Sequence, residues 1–193
     1  MSHVTFYYDL GSPFAYLTAE RLPAVLPEPV VWQPVSLGGL FKLSGRSSWA
    51  IGDPELRADG IADIEVRASR LGLPPLRWPD PWPGHYLAVM RAATWADGLG
   101  QGRAFAHAAF RHAFADGADL GLLENVRAAA QAAGLDPDAA ERATQDDAIK
   151  RRLRNATERA HARGVFGVPT IAVGDELFWG DDRLEDAARC LAR

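Results

Sequence analysis

The chain has 193 residues, 48% hydrophobic and 24% charged, with 21 Lys and Arg against 25 Asp and Glu. A formal net charge of -4 gives no general attraction to nucleic acid or to an anionic membrane surface, so neither is expected as a partner. A single cysteine, Cys190, excludes an intrachain disulfide. No stretch approaches the ~20 apolar residues of a membrane span, and Met1–Tyr8 lacks the pattern of a signal peptide. A cytoplasmic location is expected.

Residues 3–8 alternate, with Val4, Phe6 and Tyr8 on one side, and predict a strand. Gly11 punctuates a turn, Ser12 is a good N-cap and Pro13 a good first helical residue, so a helix follows and ends near Pro23. Residues 29–35 predict a second strand, parallel to the first through the helical crossover. From about residue 54 to 163 the chain is Ala-rich and reads as successive helices. Ile61, Ile64, Ala68 and Leu71 keep helical spacing, and so does the run from Ala106 to Phe114. Five prolines fall within residues 74–83, which predicts an extended linker. Gly134 marks a helix stop, Asp136-Pro137 a new start, and Ile149, Leu153, Ala156 and Ala160 a last long helix before Gly164. Alternation then returns on both sides of a Gly174-Asp175 turn, predicting a hairpin, and Asp181 to Leu184 opens a C-terminal helix.

The order β-α-β, helical block, β-β-α predicts an α/β chain, a thioredoxin-like fold interrupted by an all-helical insertion. Residues 1–40 and 164–193 are expected to form the thioredoxin-like part and 41–163 the insertion. In such a fold two short segments face each other and form the active site: Tyr8 to Leu17, and Gly164 to Ile171. The first sets Ser12 at a helix N-terminus, where free N–H groups and the helix dipole favour an anion. A redox member would carry cysteines at positions 12 and 15; this chain has Ser12 and Ala15, which cannot form a disulfide. Ser12 can still donate a hydrogen bond to a sulfur anion supplied by a cofactor, or it can serve only as a cap. The second segment holds Val168-Pro169. A cis bond there would leave the Val168 backbone free to pair with a peptide-like ligand.

Four segments carry a resemblance over nearly the whole chain. They are Tyr7-Tyr8-Asp9 with Ser12 to Leu17, Leu40-Phe41-Lys42, Gly164 to Thr170, and Phe178 to Leu184. Together they resemble the 2-hydroxychromene-2-carboxylate isomerase family, kin to the kappa-class glutathione transferases. The resemblance implies glutathione, or another low-molecular-weight thiol, as cofactor, and a small aromatic substrate. Ser12 would hold the sulfur, Val168 beside Pro169 the cysteinyl backbone, and Asp181 and Asp182, with Trp179 and Gly180, the γ-glutamyl end. The implied reaction is cis–trans isomerisation of a conjugated aromatic pyruvate by reversible thiol addition.

A substrate carboxylate calls for a cation. Lys42 is the matching candidate, with Arg46 or Arg91 behind it, and Trp78, Trp82 and Tyr86 are candidates for an aromatic wall. The alternatives are a kappa-like transferase and a non-catalytic binding module on the same scaffold. The chain departs from the family's pattern at Ser44 to Trp49 and at His85-Tyr86, both on the substrate side. Other signals carry less. His107 and His112 are five apart, which spreads them around a helix, and no metal site is predicted. Gly98 to Gly102 lacks the preceding strand of a dinucleotide loop. The basic run around Lys150 to Arg154 reads as a solvated helix face, and Cys190 as packing. An exposed helical face is compatible with a homodimer.

Overall fold

A computed structural model describes residues 3–26 and 29–193; Met1 and Ser2, part of the N-terminal reading, lie outside the described residues. Four strands form one sheet in the order β2-β1-β3-β4, with β1 Val4–Tyr8, β2 Val30–Pro34, β3 Thr170–Val173 and β4 Glu176–Trp179. β1 runs parallel to β2, with Phe6 level with Trp32, and antiparallel to β3, with Phe6 level with Ile171. The β3–β4 pair is the expected hairpin, with Ile171 level with Phe178.

Helix α1 spans Pro13–Val25, with Ser12 as its cap and Pro13 in the first turn. It continues two residues past Pro23, the expected end. The missing N–H of that proline affects only the final turn, which the buried Leu22 and Leu26 hold against the core. The structure adds a helix that periodicity did not predict, α2 at Leu37–Ser44. Two glycines make this segment a poor helix former. Ser36 caps it by accepting from Gly39 N–H at 3.1 Å, and a side chain on Gly39 would press on Thr157, at 3.1 Å from its Cβ position. Tertiary packing, rather than propensity, makes α2.

The helical block comprises α3 Pro54–Arg70, α4 Leu87–Gly98, α5 Gly102–Phe114, α6 Leu123–Ala132, α7 Pro137–Ala143 and α8 Asp147–Ala162; α9, Leu184–Leu191, closes the chain. Asp136 and Asp146 cap α7 and α8 through their carboxylates. The sheet and the block share one core. Phe6, Tyr8 and Trp32 pack edge and face, and Phe110 joins Tyr8 at 5.9 Å and Tyr16 at 6.2 Å between ring centres. Tyr8, Tyr16, Phe105, Phe110 and Phe114 are all essentially inaccessible to water. Burying aromatics of this size supplies the largest apolar contribution per residue.

Candidate active site

The ends of β1 and β3 point to the same side of the sheet and open into a cleft of about 1030 Å³. Ser12 and the Val168-Pro169 step both line it, so the two distant segments meet there. Ser12 is buried. Its Oγ accepts from Ala15 N–H at 3.2 Å, and its carbonyl accepts from Tyr16 N–H at 3.1 Å. Pro13 has no N–H, which leaves Phe14 N–H and the Ser12 hydroxyl hydrogen without acceptors among the described residues. Both donors lie at the positive end of a 13-residue helix, a local field suited to an anion.

Across from Ser12 the Val168–Pro169 bond is cis, as are Asp80–Pro81 and Trp82–Pro83 in the proline-rich linker. Val168 and Pro169 are buried, and Pro169 C=O accepts from Gly180 N–H at 3.0 Å, which seats the turn after β4 against this segment. Gly180 has φ 116°, a conformation other residues rarely adopt, and here it turns the chain from β4 into a 3-10 turn at Asp181–Arg183. The two aspartates of that turn divide. Asp181 is buried, its carboxylate paired with Arg67 at 3.0 Å and its carbonyl accepting from Arg21 at 3.0 Å. Burial pushes its carboxyl upward, against the pull of Arg67. Asp182 is exposed at the cleft and, among the described residues, makes no ion pair. Trp179 is also exposed there and packs at a tilt against Phe166, with 4.9 Å between ring centres.

The opposite wall comes from α2, the loop after it and the proline-rich linker. Lys42 and Arg46 both line the cleft and are exposed; Arg46 lies over the Phe166 ring at 4.1 Å. Arg91 does not line it, since its guanidinium donates to Thr144 C=O at 2.9 Å beside α7. Trp82 and Trp49 lie 5.7 Å apart on the wall, and Trp82 Nε1 donates to Gly11 C=O at 3.3 Å. Trp78 sits behind Trp82 rather than in the lining. Tyr86 covers Gly11 so closely that a Cβ on the glycine would enter the ring, and its hydroxyl accepts from Gly84 N–H at 3.1 Å. Burial pushes the Tyr86 hydroxyl up to about 12, so it stays neutral.

Sequence reasoning gave no role to Trp49, Arg67 or Asp9, all of which line the cleft. Arg67, from α3, reaches both Asp63 and Asp181. Asp9 lies directly beneath the turn that carries Ser12, buried, with Oδ1 accepting from Gly11 N–H at 2.8 Å and Oδ2 from Leu37 N–H at 2.7 Å. Burial pushes its carboxyl up to about 6, against the pull of the two amides. A carboxylate between a strand end and a glycine ordinarily reads as a turn residue. The available signal was its place three residues before Ser12.

The fold and the serine at the helix start define a thioredoxin-type scaffold without its redox cysteines. A family profile described as DSBA-like thioredoxin domain matches residues 3–192, and the chain belongs to that family. Within it the chain groups with the 2-hydroxychromene-2-carboxylate isomerases. It is 30% identical to the enzyme of that name from Sphingobium xenophagum over 191 residues, 94% of each chain. To the one from Pseudomonas putida it is 27% identical over 185 residues, 94% of this chain and 90% of the relative. A solved 2-hydroxychromene-2-carboxylate isomerase superposes with a TM-score of 0.86 at 27% identity, covering 98% of this chain and 94% of that one. A probable DsbA oxidoreductase from Streptomyces coelicolor shares the fold, with a TM-score of 0.80 at 22% identity over 100% of this chain and 89% of that one. Among the described residues no helix is long and apolar enough to cross a membrane.

Proposed function

We propose that the chain is a thiol-dependent cis–trans isomerase of conjugated aromatic pyruvates, of the 2-hydroxychromene-2-carboxylate type, with glutathione or a similar small thiol as cofactor. The observation that carries the reading is Ser12 with Ala15 at the start of α1, where the scaffold's redox chemistry would need cysteines, together with relatives named as isomerases. Bound there, the thiol supplies reversible addition to the conjugated double bond, so that rotation occurs about a single bond with no net redox change.

The chain's own residues do the rest. The Ser12 hydroxyl and Phe14 N–H stabilise negative charge on the sulfur. The Val168 backbone aligns the peptide portion of the thiol, and Asp182, beside Trp179 and Gly180, takes its ammonium group, with Asp181 fixed behind by Arg67. Trp49, Trp82 and Tyr86 enclose the aromatic ring and exclude water. Lys42 and Arg46 face the substrate carboxylate. A cleft of about 1030 Å³ is at the large end for small-molecule sites and accommodates thiol and substrate side by side.

Ser12→Ala tests this. With glutathione and an aromatic pyruvate, turnover is expected to drop roughly 100-fold while stability falls by only about 1 kcal/mol, the value of a lost cap. Unchanged turnover would sink the assignment. A stable thioether product in place of isomerised substrate would favour a transferase.

A further inference from the structure

We propose that Asp9 is a positioning residue whose ionised carboxylate sets the spacing between the two walls of the cleft. It ties the backbone beside Ser12 to the first residue of α2. Each oxygen serves one amide: Oδ1 takes Gly11 N–H at 2.8 Å and Oδ2 takes Leu37 N–H at 2.7 Å. Among the described residues neither amide has another acceptor. The Gly11 side fixes the thiol wall, because Ser12 is the next residue. The Leu37 side fixes the substrate wall, because α2 carries Lys42 and leads into Arg46 and Trp49. Only the carboxylate form accepts fully at both oxygens; a protonated acid gives up one oxygen to its own hydrogen, and an amide would present N–H to N–H.

The charge is buried without a cation. No ion pair reaches Asp9 among the described residues, and Lys42, on α2, sits exposed at the cleft mouth. The titratable groups that feel its charge are Tyr8 at the end of β1 and Tyr86 ahead of α4, both held neutral by burial, and His85, next to Tyr86, lines the same cleft. The first turn of α1 brings no acid, and from α4 the cleft receives the uncharged Leu87 and Met90. Burial pushes the Asp9 carboxyl up to about 6, so the tie is present above that pH and released below it. A buried, unpaired carboxylate with both oxygens committed to backbone amides of two different walls is an arrangement that stability alone does not favour.

The role rests on reading the cleft as a thiol and aromatic carboxylate site, and the test separates the two. Binding of naphthoate, an aromatic carboxylate ionised throughout the range, is followed by tryptophan fluorescence in the wild type and in Asp9→Asn. Amide shifts of Gly11 and Leu37 are followed by NMR in the wild type. Wild-type affinity is expected to weaken about tenfold between about pH 8 and about pH 5, the loss of one charge-assisted hydrogen bond. The Asp9→Asn variant is expected to bind weakly and without pH dependence. The two amides are expected to move together with a midpoint near 6. Amide shifts that stay flat, or Asp9→Asn binding equal to wild type, would overturn the role, and the wild-type titrations decide it even if the variant does not fold. Joint titration with no thiol-dependent turnover would leave Asp9 standing and remove the proposed activity. Turnover with flat amides would do the reverse.

Discussion

Asp9 shows how a single side chain can oppose folding in order to shape a site. Its carboxyl, moved from the ordinary value to about 6, makes the folded state hold a proton that the unfolded chain has already lost. Unfolding free energy from this group therefore falls as pH rises through that window, by about 3 kcal/mol in all. Urea denaturation of wild type and Asp9→Asn at about pH 4 and about pH 7 reads this directly. The wild type is expected to lose stability relative to the variant as pH rises; a change of the opposite sign would remove buried charge as the cause. Ser12 was legible in the sequence because cap, proline and turn stand in a row. Asp9 was not, because its defining partner, Leu37, is 28 residues away and the helix that Leu37 starts was itself unforeseen.

At the scale of elements, the strands and long helices followed from periodicity and caps, and α2 did not. Its Gly38-Gly39 pair argues against a helix locally, while Asp9, Ser36 and Thr157 impose one from outside. The same limit hid the link between α1 and α5, where Glu20 receives both Arg111 nitrogens at 2.9 and 2.8 Å with His107 nearby. Burial raises the Glu20 carboxyl, and the flanking His107 and Arg111 more than reverse this, to about 2. Its stabilising contribution is thus full above the ordinary carboxylate range and lost only as pH falls toward about 2. Arg111 is largely exposed, so screening limits the pair, and Glu20→Gln is expected to cost about 1 kcal/mol in thermal or urea unfolding at neutral pH. Thiol and naphthoate binding should be unaffected, because the pair lies outside the cleft.

For the whole molecule, the class of fold was readable from the order of elements, and the pairing of two distant segments in one cleft agrees with it. The walls of the cleft were readable only in part: Lys42, Arg46, Trp82 and Tyr86 stood out by residue type, whereas Arg67 and Trp49 converge on them from segments with no common sequence pattern. The walls also differ in how firmly they are held. Helix α3 has 17 residues, of which only Ile64 and Ala68 are buried, and it reaches the rest of the cleft through Arg67 to Asp181 and Arg57 to Trp82 C=O. Hydrogen exchange of α3 amides is expected to be at least about tenfold faster than that of α5, whose buried face includes Phe105, Phe110 and Phe114. Equal protection in both helices would mean that α3 is bound as tightly as the core.

The shared core has a consequence for how such a protein can diversify. Phe110 completes the packing of Tyr8 and Tyr16, so the helical block cannot be lifted out and replaced as a cassette without stripping the sheet of its filling. New substrates must then be accommodated by the segments that border the cleft and leave that filling untouched, chiefly 44–51 and 83–87. Those stretches line the substrate side of the cleft, and exchanging them between relatives would transplant substrate preference on an unchanged interior.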